Sequence, residues 1–145
     1  AMADLYDPRN VAVIVNGQEI VGFAEGTFIR GERAAERYPE PHVGAKGEVT
    51  WVRNGNNTGT VTITLKHNSA SNAFLTRLFK EQDQPGTQIT ISVQDRNFDG
   101  DVSISGSDCR IANVPPWERG AEVGSVEWVI RVADFDAAFE GATRA

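Results

Sequence analysis

Cysteine is almost missing from this chain: Cys109 stands alone among 145 residues, so no disulfide can staple the fold internally. Cys109 then reads as a small buried hydrophobe, or as a lone thiol able to bond a neighbouring copy in a repeating assembly. No apolar run approaches the roughly 20 residues of a membrane span, and no basic-then-apolar leader opens the sequence. A soluble chain made in a cytoplasm, with no membrane insertion of its own, is the expectation. Cationic excess is lacking as well. With 20 acidic against 14 basic residues the formal charge is −6, which excludes a surface that holds nucleic acid or anionic lipid by general attraction. Histidine is sparse, and His42 and His67 share no metal-ligand spacing with each other or with Cys109. Gly-rich phosphate loops, nucleophile elbows and His-Glu-x-x-His helices are all missing. The expectation is therefore no cofactor, no metal and no catalytic residues.

What remains is alternation. Thr58 to Leu65 sets Val61, Ile63 and Leu65 on one side and Thr60, Thr62 and Thr64 on the other, the period of a strand with one buried face. After the corner Lys66 to Ala70 the period changes, and Phe74, Leu75, Leu78 and Phe79 share one stripe of a helix as its core anchors. Ser71 is its candidate N-cap, and Pro85-Gly86 ends the run. Val11 to Val15 and Gln18 to Phe23 flank Asn16-Gly17, which suits both left-handed positions of a type I′ hairpin turn. Gly26 to Ile29 is a further strand candidate. Val49 to Arg53 and Thr58 to Leu65 flank Asn54 to Asn57 as a second hairpin; Gln88 to Gln94 and Val102 to Ser105 form a third. Cys109 to Val114 continues that arm after a kink at Gly106. Pro115-Pro116 blocks any ladder before a last strand, Val126 to Val132. Seven or eight strands, one helix and no βαβ alternation predict a mainly β, antiparallel sandwich or barrel with one packed α-helix and a long inter-strand loop. The expected layout is a single domain over 1–145, with an N-terminal arm at 1–10 and a tail at 134–145 that forms a helical turn or a docking arm.

Asp95 to Asp101 places Asp95, Asn97, Asp99 and Asp101 at the first ligand positions of a calcium loop, with Gly100 at its sharp turn. Gly106 occupies the place of the bidentate Glu, and strands flank the loop, so a hairpin turn is favoured over a weak cation site. A small hydrolase using Asp95, Asp99 or Asp101 is the remotest reading.

Two features point to assembly. Arg30 to Gly47 interleaves Arg30, Glu32, Arg33, Glu36, Arg37, Glu40 and Lys46, holds Pro39 and Pro41, and sustains no period. It reads as a solvated mobile loop, or as an arm that orders against a neighbouring subunit and stacks rings. The outward strand positions Thr60, Thr62, Thr64, Thr90, Ser92 and Gln94 carry hydroxyls and amides and no charge. They make a Thr-rich surface, or the wall of a conduit that gives a polyanion nothing to grip.

Tyr6-Asp7-Pro8, Gly22 to Phe28, Val43 to Thr50, Gly59 to Leu65, Ser69 to Asn72 and Glu127-Trp128, in that order, resemble phage structural proteins of the tail-tube type. The resemblance implies homohexameric rings that stack into the inner tube of a contractile-tailed bacteriophage. It implies sheath, baseplate and terminator partners, passage of DNA without specific binding, and a virion protein assembled in the host cytoplasm. Related tubes serve phage-like bacteriocins and secretion devices. Unpaired sheet edges would be closed by copies of the chain, and a ring of six would multiply the −6 charge sixfold. The competing reading is a β-sandwich binding module, carbohydrate-binding or baseplate-associated, with Trp51, Trp117 or Trp128 as stacking platforms.

Overall fold

The computed structural model describes residues 11–139 except 25, 96–101, 119 and 122–123. The strands are β1 (Val11–Val15), β2 (Gln18–Glu19), β3 (Ile29–Arg33), β4 (His42–Val43), β5 (Val49–Thr50), β6 (Gly59–Lys66), β7 (Ile89–Asp95), β8 (Val102–Ile111) and β9 (Ser125–Phe139); α1 is Ser71–Glu81. Seven of them form one antiparallel sheet in the order β2-β1-β7-β8-β9-β6-β3, and β4 pairs with β5 apart from it.

That sheet closes on itself. After β2 the Ile20 amide still bonds Val13, but the Lys66 amide bonds Gly22 O, and the Ala24 amide bonds Thr64 O. The chain after β2 thus leaves β1 and joins β6, first through the isolated bridge Phe23↔Leu65 and then as β3. Gly22 makes the crossing possible: its φ is +80°, and a Cβ there would lie 2.6 Å from the Ser69 Cβ. Copies of the chain are therefore not needed to complete most of the wall, contrary to the open edges expected from sequence. The outer edge of β3 remains, since among the described residues β3 bonds only β6.

Inside the barrel pack Val13, Val15, Val61, Ile63, Leu65, Ile89, Ile91, Ile111, Ile130 and Trp128, each at most 2% exposed. Helix α1 plugs one end. Leu75 and Leu78 are buried and Phe74 and Phe79 pack partly against the core, as the stripe predicted. Polar groups fix its seat. Trp128 Nε1 donates to Asn72 Oδ1 at 3.0 Å, and the buried Gln82 amide both donates to Ile111 O and accepts from Ile111 N. Ser71 is not the cap: its Oγ accepts from the Val21 amide, while Ser69 Oγ accepts from the Ser71 amide. The strand beside the helix recruits Ser71 because the Val21 amide has no ladder partner on that side.

The Asn16-Gly17 turn has φ of 53° and 87°, the type I′ geometry read from sequence. The other expected hairpins fare differently. β7 pairs with β8 as expected, although the intervening turn, with any cation site or hydrolase centre on Asp99 and Asp101, lies outside the described residues. β6 does not pair with β5; its partners are β3 and β9. Asn54 and Asn56 instead use their side chains to accept from the Asn56 and Thr58 amides, forming two successive Asx turns. The kink in β8 lies at Asp108, φ 52°, and not at Gly106. There β8 and β9 skip one pairing, between Cys109↔Val132 and Ser107↔Asp134. Residues 134–139 are strand, neither helical turn nor free arm, because β9 runs on beside β8 as far as Phe139.

Candidate assembly interface

The loop read as structureless is a strand followed by a stapled arm. Ile29–Arg33 pairs fully with β6. Gly31 hides the strand's periodicity: an apolar side chain is expected at that inward position, but a Cβ there would lie 2.6 Å from Ile104 Cδ1. Phe135 covers Gly59, where a Cβ would stand 2.6 Å from Cδ2 of the ring. Gly31 thus makes room for Ile104 and Gly59 for Phe135.

From Ala34 to Asn57 the chain leaves the barrel and returns. Backbone bonds from Ala34 N to Thr58 O (3.0 Å) and Asn54 N to Arg37 O (2.7 Å) clip the two legs together. Arg33 Nη2 donates to Asn56 O, and Arg37 Nη2 to Asn57 Oδ1, both at 2.9 Å. Arg33 and Arg37, expected to reach another ring, spend these donors inside their own chain. Arg30 and Glu32 lie on β3 opposite Thr62 and Thr60, paired with each other at 3.3 Å and well exposed, an interaction worth about 0–1 kcal/mol.

Beyond the clip, β4 and β5 form a small hairpin. Its turn is held by Gly44 N to Glu48 O (2.8 Å) and by the Lys46 amide to Glu48 Oε2 (3.1 Å). The arm carries Tyr38, Val43, Val49, Trp51 and Val52, all 50–66% exposed, with the Tyr38 and Trp51 rings edge-on at 6.2 Å. Scattered single apolar residues are ordinary on a surface, but five on one short arm mark an interaction patch. Glu36 and Glu40, both exposed, line a groove on the same arm with Pro39, His42, Val52 and Asn54.

The barrel's outer wall is less neutral than expected. Thr60, Thr62 and Thr64 face outward on β6, but their cross-strand neighbours on β9 are Arg131, Val129 and Glu127, and Arg131 Nη1 donates to Thr60 Oγ1 at 3.0 Å. Arg110 lies opposite Arg131 on β8. Ser92 aligns with Ser105 and Asp136, and Gln94 with Ser103 and Ala138; Thr90 is exposed on the same strand. The charges escaped the sequence reading because the two threonine and serine rows are separated by β8 and β9. At the barrel mouth opposite the helix a cleft of about 360 Å³ opens between Val11, Val93 and Ile104 on one side and Thr27, Phe28 and Ile29 on the other.

Among the described residues no three His, Cys, Asp or Glu side chains converge as metal ligands, and no helix is long and apolar enough to cross a membrane. His67 Nδ1 accepts from the Gly124 amide at 3.0 Å. Cys109 is fully buried, out of reach of another copy's thiol, and burial with the Asp108 carboxylate pushes its thiol up to about 11. Trp128 is buried and bonded to Asn72, which removes it as a platform. Trp51 and Trp117 are exposed.

A helix-plugged barrel with a projecting arm belongs to the fold of phage-like tail and injection-tube components. It superposes on the sheath/tube terminator of an extracellular contractile injection system, PVC, with TM-score 0.57 and 11% identity over 94% of this chain and 98% of that one. The tube-terminating cap of the anti-feeding prophage gives 0.53 and 10%, covering 95% of each chain. A chain of the native gene transfer agent virion gives 0.53 and 14%, covering 92% and 100%. No curated protein matches the sequence. Residues 21–140 match the family of the bacteriophage PhiTE tail tube protein, and the chain belongs to that family. It is a structural component of a phage tail.

Proposed function

We propose that the chain is the repeating subunit of the inner tail tube, forming homohexameric rings that stack into a hollow conduit. The observation that carries this is the arm: a hairpin clipped firmly at its root presents five exposed apolar side chains, an arrangement that gains free energy only when another surface covers it. The family match supports the tube, and the arm supplies the contact between successive rings. Lateral closure of a ring falls to the free edge of β3 and the cleft beside it, where backbone groups and apolar walls are offered together. A contractile-tailed phage is the setting, with sheath, baseplate and terminator proteins as partners and assembly in the host cytoplasm. DNA passes without specific binding on its way to the host, because the net charge of −6 repels it from each subunit. Tubes of phage-like bacteriocins would use the same surfaces.

Electron microscopy of the purified protein tests the proposal. Rings or hollow rods with a central hole are expected as concentration rises. Discrete monomers at every concentration would overturn it and return the exposed Trp51 and Trp117 to the reading of a binding module.

A further inference from the structure

On the barrel wall two arginines are set directly against each other. Arg110 on β8 and Arg131 on β9 are cross-strand partners, and both are exposed. Like charges so placed oppose pairing of their strands, so something outside the sheet must favour them. Local partners satisfy them only in part. Arg110 Nη1 donates to Cys109 O at 2.8 Å and meets Asp108 at 3.3 Å, while Arg131 Nη1 bonds the neutral Thr60 hydroxyl. One carboxylate for two guanidiniums leaves local positive charge on a chain of net charge −6.

The backbone shapes this place into a notch. Where β8 bulges against β7, between the pairs Ile89↔Cys109 and Ile91↔Gly106, Asp108 takes a left-handed conformation, and Ala34, Thr58, Gly59, Thr60, Val132 and Ala133 line the space of about 490 Å³ beside the arginines. Bulges of this kind re-aim side chains. We infer that the Arg110–Arg131 notch binds a carboxylate, and that the carboxylate is supplied by Glu36 or Glu40 from the arm of a second copy. The inference rests on the assembly reading and names the polar contact within it.

Three observations select this occupant. Guanidinium pairs accept planar carboxylates with bidentate geometry. Glu36 and Glu40 are exposed on the arm that projects from the barrel. The notch also lies at the root of that arm, since Ala34 and Thr58 form both its rim and the arm's clip. An arm reaching the root of the next copy's arm makes a head-to-tail contact that repeats indefinitely, as a stacked tube requires. A phosphate backbone fits less well, because Asp108 in the notch lining would repel a continuous polyanion while admitting one side chain.

The test compares wild type, Arg110→Gln/Arg131→Gln, and the charge swap Arg131→Glu/Glu36→Arg/Glu40→Arg, following polymer by sedimentation and unfolding by circular dichroism. Neutralising the pair removes a repulsion, so the melting temperature of the free subunit is expected to hold or rise while the concentration needed to form rods rises about tenfold. The charge swap is expected to recover at least part of that loss. Rods from the double glutamine variant at the wild-type concentration would overturn the notch while leaving the tube intact. So would a defect confined to retention of a DNA oligonucleotide, which would assign the notch to phosphate. A wild-type chain that forms no rods overturns the proposed function itself.

Discussion

At the scale of single residues, the barrel tolerates polar and reactive groups only where their chemistry is silenced. Cys109 is the clearest case. Burial, then the neighbouring Asp108 carboxylate, raises its thiol from 9.0 to about 11. Above pH 9 the unfolded chain gives up this proton while the folded chain keeps it. Stability therefore falls with rising pH across the window from about 9 to about 11, and is fully present below it. The loss from this group approaches about 2–3 kcal/mol by pH 11. Urea unfolding of wild type and Cys109→Ala between pH 8.5 and 10.5 isolates it, because the other titrating groups are shared. The advantage of wild type over the variant should shrink steadily with pH; parallel curves would mean that the thiol ionises as easily folded as unfolded. Glycine is the opposite device. Gly31 and Gly59 contribute no side chain, and that absence admits Ile104 at the first and Phe135 at the second, so an apparently weak strand position is a packing position.

Among elements, the helix is held less by its apolar stripe alone than by polar clamps to strands at the barrel's end. Gln82 carries one of them, replacing both missing ladder partners of Ile111 with a single amide. Gln82→Leu keeps the volume but leaves a buried N–H and C=O unpaired, which should cost about 2–4 kcal/mol and speed exchange of the Ile111 amide. A variant as stable as wild type, with that amide still protected, would show that water replaces the clamp. Such clamps were not legible beforehand, because Gln82 sits just past the helix and nothing in its neighbours says that it is buried. Local signals were readable: the Asn16-Gly17 turn, the β7–β8 pairing and the stripe Phe74 to Phe79 all follow from spacing. Pairing of β6 was not, since its partner β9 lies some sixty residues on and no turn links them. Asn54 to Asn57 carried the composition of a hairpin turn and used it for Asx turns at the arm's root. β3 was misplaced: the strand candidate Gly26 to Ile29 ends where β3 begins, because beyond Ile29 the inward Gly31 gives no apolar signal and Arg30, Glu32 and Arg33 are charged.

For the whole molecule, the division of labour between barrel and arm decides what assembly can cost. The barrel completes its own core and nearly all of its own wall without contribution from copies. The arm contributes almost nothing to that core, since its large apolar side chains remain half or more exposed. Substituting Tyr38, Val43 and Trp51 together by serine should then change the free energy of unfolding by no more than about 1 kcal/mol, the Tyr38–Trp51 ring contact being the principal loss. The same three side chains, if covered in a tube, each bring apolar area worth about 25 cal/mol per Å² to every subunit contact. A rod repeats that contact at every ring, so the serine variant should stay monomeric on gel filtration at concentrations where wild type forms rods. Loss of folding along with loss of rods would mean that the arm belongs to the core after all. Unimpaired rods would move the stacking contact away from the hairpin and onto the barrel ends, leaving the apolar arm to meet a different tail protein.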